Sequence, residues 1–446
     1  MRKVMPVLLG ALCLLAGPAR ADVVEASSTT MLLAGQQTRG GAPGQTPSLA
    51  TVVPAYEILT LSARDIGNPV ADHLEVVLST WGSYDFSDLR WDNGTGSKLT
   101  GDVTTGYVKG ELFKRHLVLQ VGREYVALGS ARMVQIDGGS AVLVLPYGFA
   151  ISGYVGSPVS QRFQSRGATV SWNPEGGDLA YGGRVSWTLP ISGGPGRGLE
   201  LGASTAVVKD GKDFAREDVG VDLRLQPVAQ VVLTGFGVVS LAEKNRLAEA
   251  NLLLTWTPLR TLHLSADYRR VAPDLFLPRT SILSVFSDTE RTAVGGGVSY
   301  DVNRALTLVL DGHVDLQPTS KDLSNGTYTG YDASARAAWH SRTASAGIEA
   351  SYLDAQENGY VGLRLYGRKD AGPAFIAADL LGHLFREAIN AEKQAVTATL
   401  TGGYELGAGW SAVLAGRAGV TVFMERQYDL MAKLVYSPTQ RVREVR

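Results

Sequence analysis

The stretch ALTLVLDGHVDL, residues 305–316, carries two patterns at once. Leu306, Leu308, Leu310, Val314 and Leu316 fall on one side of a two-residue period, and Thr307, Asp311, His313 and Asp315 fall on the other. An extended chain sends successive side chains to opposite faces, so this is a strand with one apolar face and one polar face. Residues 330–340, GYDASARAAWH, repeat the division: Tyr331, Ala333, Ala335, Ala337 and Trp339 stand against Asp332, Ser334, Arg336 and His340. Val396, Ala398, Leu400 and Tyr404 oppose Thr397, Thr399, Thr401 and Glu405 in the same way. Tyr428, Leu430, Ala432, Leu434 and Tyr436 oppose Asp429, Met431 and Lys433.

Working outward, most of the 446 residues follow this alternation in segments of about 10 to 14 residues separated by turn-formers. A soluble β-sandwich would use strands of about 5 to 6 residues around a packed core. A membrane barrel uses tilted strands of about 9 to 11 residues, turns apolar faces to lipid and sets aromatic residues at both interfaces. Here the apolar faces begin or end on Tyr331, Trp339, Trp410, Tyr428, Tyr436, Tyr404, Trp256 and Tyr268. The pattern predicts an all-β, transmembrane antiparallel up-and-down barrel of 18–22 strands. Twenty-two segments can be drawn, the least regular being the first and those between 128 and 190. Two of these are placed at 141–155 and 166–173, with 128–140 read as a connection.

The N-terminus has the three parts of a secretory signal: Arg2 and Lys3, the apolar run Val4 to Leu15, and Ala19-Arg20-Ala21 before Asp22. The reading is a signal peptide over 1–21, a barrel over 22–438 and a C-terminal tail over 439–446. The single cysteine, Cys13, lies in the leader and follows Leu12 rather than a small residue, which disfavours a lipid anchor. Removing the leader takes Arg2, Lys3 and Arg20 and leaves 39 bases against 43 acids, a net charge of −4. That balance gives no reason for a nucleic-acid partner. Short links such as 407–409, 340–343 and 302–304 alternate with longer polar ones at 386–393, 317–327, 273–290, 209–216 and 87–100. Barrels of bacterial outer membranes have short periplasmic turns and long external loops. Asn93-Gly94-Thr95 and Asn325-Gly326-Thr327 fit the glycosylation pattern, but Asn-Gly is also a preferred tight-turn pair, and in such a barrel the turn reading wins.

The polar faces supply the candidate pore lining. Acids there include Asp218, Asp222, Asp267, Asp311, Asp315, Asp332, Glu349, Asp379, Glu405 and Asp429; bases include Arg224, Arg269, Arg336, Arg364, Arg368, Arg417 and Lys433. The signs are mixed, with no single-sign ring of the kind that selects ions. Acids and bases on neighbouring strands pairing across the wall is the plainer explanation for any one of them. Residues 129–140 hold Arg132 and Asp137 and are expected either to fold inward as a constriction or to stay outside as an ordinary loop. Residues 273–287 are unusually apolar for a loop. Phe276, Leu277, Ile282, Leu283, Val285 and Phe286 fit a segment that covers the mouth, lies on lipid or docks a partner; an extra strand is the simpler alternative.

Asp311, His313 and Asp315 share a face, but alternate strand residues stand about 6.6 Å apart, too far to close one metal shell unaided. No nucleophile-base order or metal spacing emerges from the six histidines, so no catalytic residue, metal or cofactor is expected and the enzyme reading is disfavoured. Taken together, the leader, the aromatic-ended alternating strands and the turn–loop alternation resemble a Gram-negative outer-membrane porin-type β-barrel. One departure is that ten residues follow Tyr436, where such barrels typically end on an aromatic residue. Size and loop economy are also similar to the porin-like barrels associated with polysaccharide export. The resemblance implies residence in outer-membrane lipid, a channel for hydrophilic solutes or a secreted polysaccharide, and a periplasmic polysaccharide-export protein as partner. The alternative reading is a structural or partner-docking barrel of an envelope complex.

Overall fold

The computed structural model describes residues 21–39, 48–66, 71–87, 98–130, 133–159, 178–191, 198–211, 213–242, 245–272, 290–318, 327–356, 358–422 and 424–441. They form one antiparallel sheet that closes on itself. Twenty-four hydrogen-bonded segments make 22 staves. Ser48–Val52 and Pro54–Ile66 are one strand interrupted at Val53, and Met424–Tyr436 and Thr439–Arg441 are one strand interrupted at Ser437 and Pro438. Proline has no N–H to give the ladder, so Pro54 and Pro438 fall where pairing breaks or restarts.

Each strand pairs with its neighbours in sequence, and the first pairs with the last. Ala21–Arg39 aligns Ser28 with Tyr436 and Gly35 with Asp429, and beyond the break Val23 with Arg441. Full closure leaves no open sheet edge, the condition for placing a sheet in hydrocarbon.

The alternation read from sequence is the alternation of the wall. In Leu306–Pro318, Leu308, Leu310, Val314 and Leu316 are exposed while Asp315 is 1% exposed. Exposed Leu, Val and Ile side chains recur at every second position around the outer face, as Leu363 and Leu365, Leu380 and Leu384, Leu400, Leu414, Leu430 and Leu434 show. Aromatic residues bound this band on two levels. Tyr84, Tyr331, Tyr352 and Tyr428 stand toward the longer connections; Trp256, Tyr300, Trp339, Tyr404 and Trp410 stand toward the short turns. From Tyr331 to Trp339 is eight residues, about 26 Å of extended chain at about 3.3 Å each.

The strands between 117 and 190 differ from the reading above. Val134–Val144 is a strand where a connection was expected, and the segment read as one strand over 141–155 is split by a turn at Pro146–Gly148. Tyr147 (φ 63°) and Gly148 (φ 81°) take left-handed conformations there, and the Leu145 N–H donates to the Phe149 carbonyl at 2.8 Å. Leu143, Val144 and Phe149 on either side make the turn look like strand interior. The expected strand at 166–173 lies outside the described residues. Two connections expected to be long are tight: residues 211–212 join Gly198–Asp210 to Asp213–Val228, and residues 390–391 join Ala374–Ile389 to Glu392–Gly407. Asn390 (φ 50°) and Ala391 (φ 69°) make a two-residue turn of the hairpin type. These strands run past the apolar band, and their polar ends read as loop.

Candidate channel wall

The inner wall is built from the polar positions of the strands, and most of its charges meet a partner across the ladder. Three sectors differ in character.

From Thr327–His340 round to Met424–Tyr436, charges alternate in sign around the wall, in register except for a two-residue diagonal from Arg364 to Asp379. Arg336 faces Glu349, Glu349 faces Arg364, Asp379 faces Thr399, Thr399 faces Arg417 and Arg417 faces Asp429. Arg364 Nε donates to Asp379 Oδ2 at 2.8 Å, and Arg417 Nε donates to Asp429 Oδ2 at 2.7 Å. Gln427 adds a bond to the same Asp429 oxygen at 2.9 Å. Arg368 binds Asp370 at 2.9 Å and lies 3.9 Å over the Phe375 ring. Arg336 makes no ion pair among the described residues.

The second sector centres on His313. Its Nδ1 is 2.9 Å from Asp332 Oδ1, and its Nε2 is 3.0 Å from Asp267 Oδ1 and 2.9 Å from Arg269 Nη2. Asp267 itself accepts from Arg269 Nε at 3.0 Å. Arg291 clamps Asp315, with Nε donating to Oδ1 at 3.0 Å, and approaches Asp332 at 3.9 Å. Asp311 accepts the Ser334 hydroxyl at 2.7 Å. The ring of His313 reaches across the wall because Gly295 lies beneath it: a β-carbon there would run into the imidazole and the Gly312 carbonyl.

In the third sector Arg184 joins two acids, donating to Asp222 at 3.1 and 2.5 Å and to Glu200 at 2.8 Å. Arg224 lies in register with Glu200, and Asp218, 2% exposed, accepts from Arg216 at 2.5 Å. The chain after Val126 turns onto this wall. Ser130 is buried with its hydroxyl 2.7 Å from that of Ser204, and Gly129 sits so close to the Arg184–Asp222 pair that a β-carbon would lie 2.5 Å from Arg184 Nε. Glycines at 202 and 220 leave the space, since side chains there would strike Asp222 and Ser130. Above this seat Val126, Ile136, Tyr154, Ala180 and Val208 form a small buried apolar cluster, with Leu128 and Val134 packed on it.

The part of 129–140 that folds inward is thus its start. Asp137, expected on that loop, stands instead in the strand Val134–Val144, held by Arg123 at 2.7 and 2.8 Å; Arg123 also reaches Asp102 at 2.9 Å. Arg132 lies outside the described residues, as do Phe276, Leu277, Ile282, Leu283, Val285 and Phe286. Sequence reasoning missed Arg184, Glu200, Arg216 and Arg291. Arg184 was within reach: it occupies the polar phase of a strand whose other face carries Val185 and Trp187. Arg291 opens its strand and read as the end of a loop.

No known family model matches the chain, and no curated protein sequence matches it. Solved structures do. A variant of the ferric enterobactin receptor PfeA from Pseudomonas aeruginosa aligns with a TM-score of 0.54 at 10% identity, over 93% of this chain and 80% of its own. OccAB4 of Acinetobacter baumannii aligns with a TM-score of 0.45 at 8% identity, over 95% of this chain and 100% of its own. The outer membrane protein OpdK of Pseudomonas aeruginosa aligns with a TM-score of 0.44 at 7% identity, over 94% and 99%. The receptor shares with this chain the fold of a large closed barrel, and the likeness extends to fold alone.

Proposed function

We propose that this chain is an outer-membrane porin-like channel that passes hydrophilic solutes. The observation that carries the reading is the division of the wall: Leu, Val and Ile lie exposed between two aromatic levels outside, while paired charges, hydroxyls and glycines line the inside. Exposed apolar side chains in such number would be untenable in water and are at home against lipid. Closed barrels of 16 to 18 strands already leave an aqueous channel, and barrels of 22 strands elsewhere carry a plug. Among the described residues the lumen of this one holds only the short segment after Val126. Export through a leader cleaved near Ala21 belongs to the same reading.

The test is planar-bilayer recording on purified, heat-modifiable barrel in potassium chloride. Stepwise ohmic currents are expected; a correctly folded barrel that conducts no ions overturns the proposal. A polysaccharide cargo, with a periplasmic export protein as partner, is the narrower form of the reading. It has no support in the comparisons, and loss of surface polysaccharide on deletion of the gene is the result that would establish it.

A further inference from the structure

The inner wall sinks into a hollow of about 540 Å³ across four consecutive strands, Ala344–Asp354, Gly359–Ala371, Ala374–Ile389 and Glu392–Gly407. That volume is within the range of small-molecule sites, about 300–1,000 Å³. Gly362 lies between its lining residues, in register with Ser351 on one side and His383 on the other. A β-carbon on Gly362 would strike the Ser351 hydroxyl and lie 3.3 Å from the His383 ring and 3.5 Å from the Tyr360 ring, so the missing side chain is what lets these three lining residues close in over the backbone and shape the hollow. Tyr360 and His383 meet edge to face at 4.9 Å, and Phe385 stacks behind His383 at 6.1 Å. Two residues along the same strands stand Arg364, bonded to Asp379, and Glu349, in register with Arg364.

We infer that this hollow is a saccharide-binding subsite of the lumen, an inference that rests on the reading of the lumen as a solute path. Aromatic rings at the wall offer an apolar face to the C–H side of a pyranose. With Nε and Nη2 of Arg364 held on one oxygen of Asp379, its remaining guanidinium hydrogens donate and the other carboxylate oxygens of Glu349 and Asp379 accept, which matches the neighbouring hydroxyls of a sugar edge. Charge balance argues against an ion as the occupant. An anion would meet two carboxylates for one guanidinium, and a cation would have to displace Arg364 from Asp379. A neutral polyhydroxylated ring uses both signs without disturbing the pair.

The experiment is saturation-transfer NMR on the full-length barrel in detergent, with maltohexaose and cellohexaose as separate probes and sodium benzoate as the charged aromatic control. Transfer to the ring protons of at least one hexaose is expected. Its affinity should fall about tenfold in Tyr360→Ala, the loss of one aromatic contact, and also in Gly362→Val, while Tyr360→Phe keeps it. The inference is overturned if neither hexaose receives saturation, if benzoate alone does, or if both Tyr360→Ala and Gly362→Val bind as the parent does. Binding in detergent is read without any current. Ion flow without sugar binding therefore removes this subsite and leaves the channel, and absence of current removes the channel on its own.

Discussion

Asp315 illustrates what a single inward position must satisfy. Its carboxylate is almost fully buried and depends on the forked donation of Arg291 from the preceding strand. Replacing Arg291 with Met strips a buried acceptor of its donor and should destabilise the barrel by about 1–3 kcal/mol, seen as a lower urea midpoint in lipid. Restoring the balance with Arg291→Met and Asp315→Asn together should recover most of that loss. His313 presents a different problem, because its Nε2 lies between an acceptor, Asp267, and a donor, Arg269. Protonated, it donates to Asp267; neutral, it accepts from Arg269. Protonation of His313 adds one positive charge to the lumen wall. Reversal potentials should then move toward anion preference as pH falls from 8 to 5, and His313→Gln should abolish the part of that movement due to this residue. A pH response identical in the variant would show that His313 plays no part in it.

At the scale of the strand, depth decides the cost of a change on the outer face. Leu310 is in register with Ala335, midway between the aromatic levels marked by Tyr331 and Trp339. Leu310→Arg should cost about 2–4 kcal/mol in lipid and Trp339→Arg, at the interface, only about 0–1 kcal/mol. Unfolding titrations of the two variants in the same bilayer check the ordering, and equal costs would mean that no hydrocarbon layer lies between them. Such strands were legible in the sequence wherever the outer face is bulky and the inner face charged, as in 305–316. Val134–Val144 was not, because its centre, Asp-Gly-Gly-Ser, is also a turn composition, and because Pro146 and Gly148 hide between hydrophobic flanks. The inward phase of Asp222 and Asp267 could be read, but their partners could not. Arg184 meets Asp222 across an intervening strand, 38 positions away, and such a diagonal depends on Gly202 leaving room between them. Strand alternation specifies a face; which charges meet on it follows from register and from the missing side chains of glycines.

At the scale of the whole molecule, the alternating belt from Arg336 to Asp429 and the clusters around His313 and Arg184 give a lumen in which neither sign dominates. Selectivity between potassium and chloride should accordingly be weak, with a permeability ratio near unity, because fields from paired charges cancel within a few ångströms. Arg417→Ala would leave Asp429 without its guanidinium partner and should tilt that ratio toward cations. The closing seam carries one more consequence. Since Val23 lies beside Arg441 and Ser28 beside Tyr436, the first and last described strands are neighbours on the wall. Every stave is joined to the next by a connection, and this seam alone is stitched by hydrogen bonds without a covalent link. Joining the ends by a short peptide and reopening the chain in the Gly407–Gly409 turn should give a rearranged gene whose product seals along a different line and has the same cross-section.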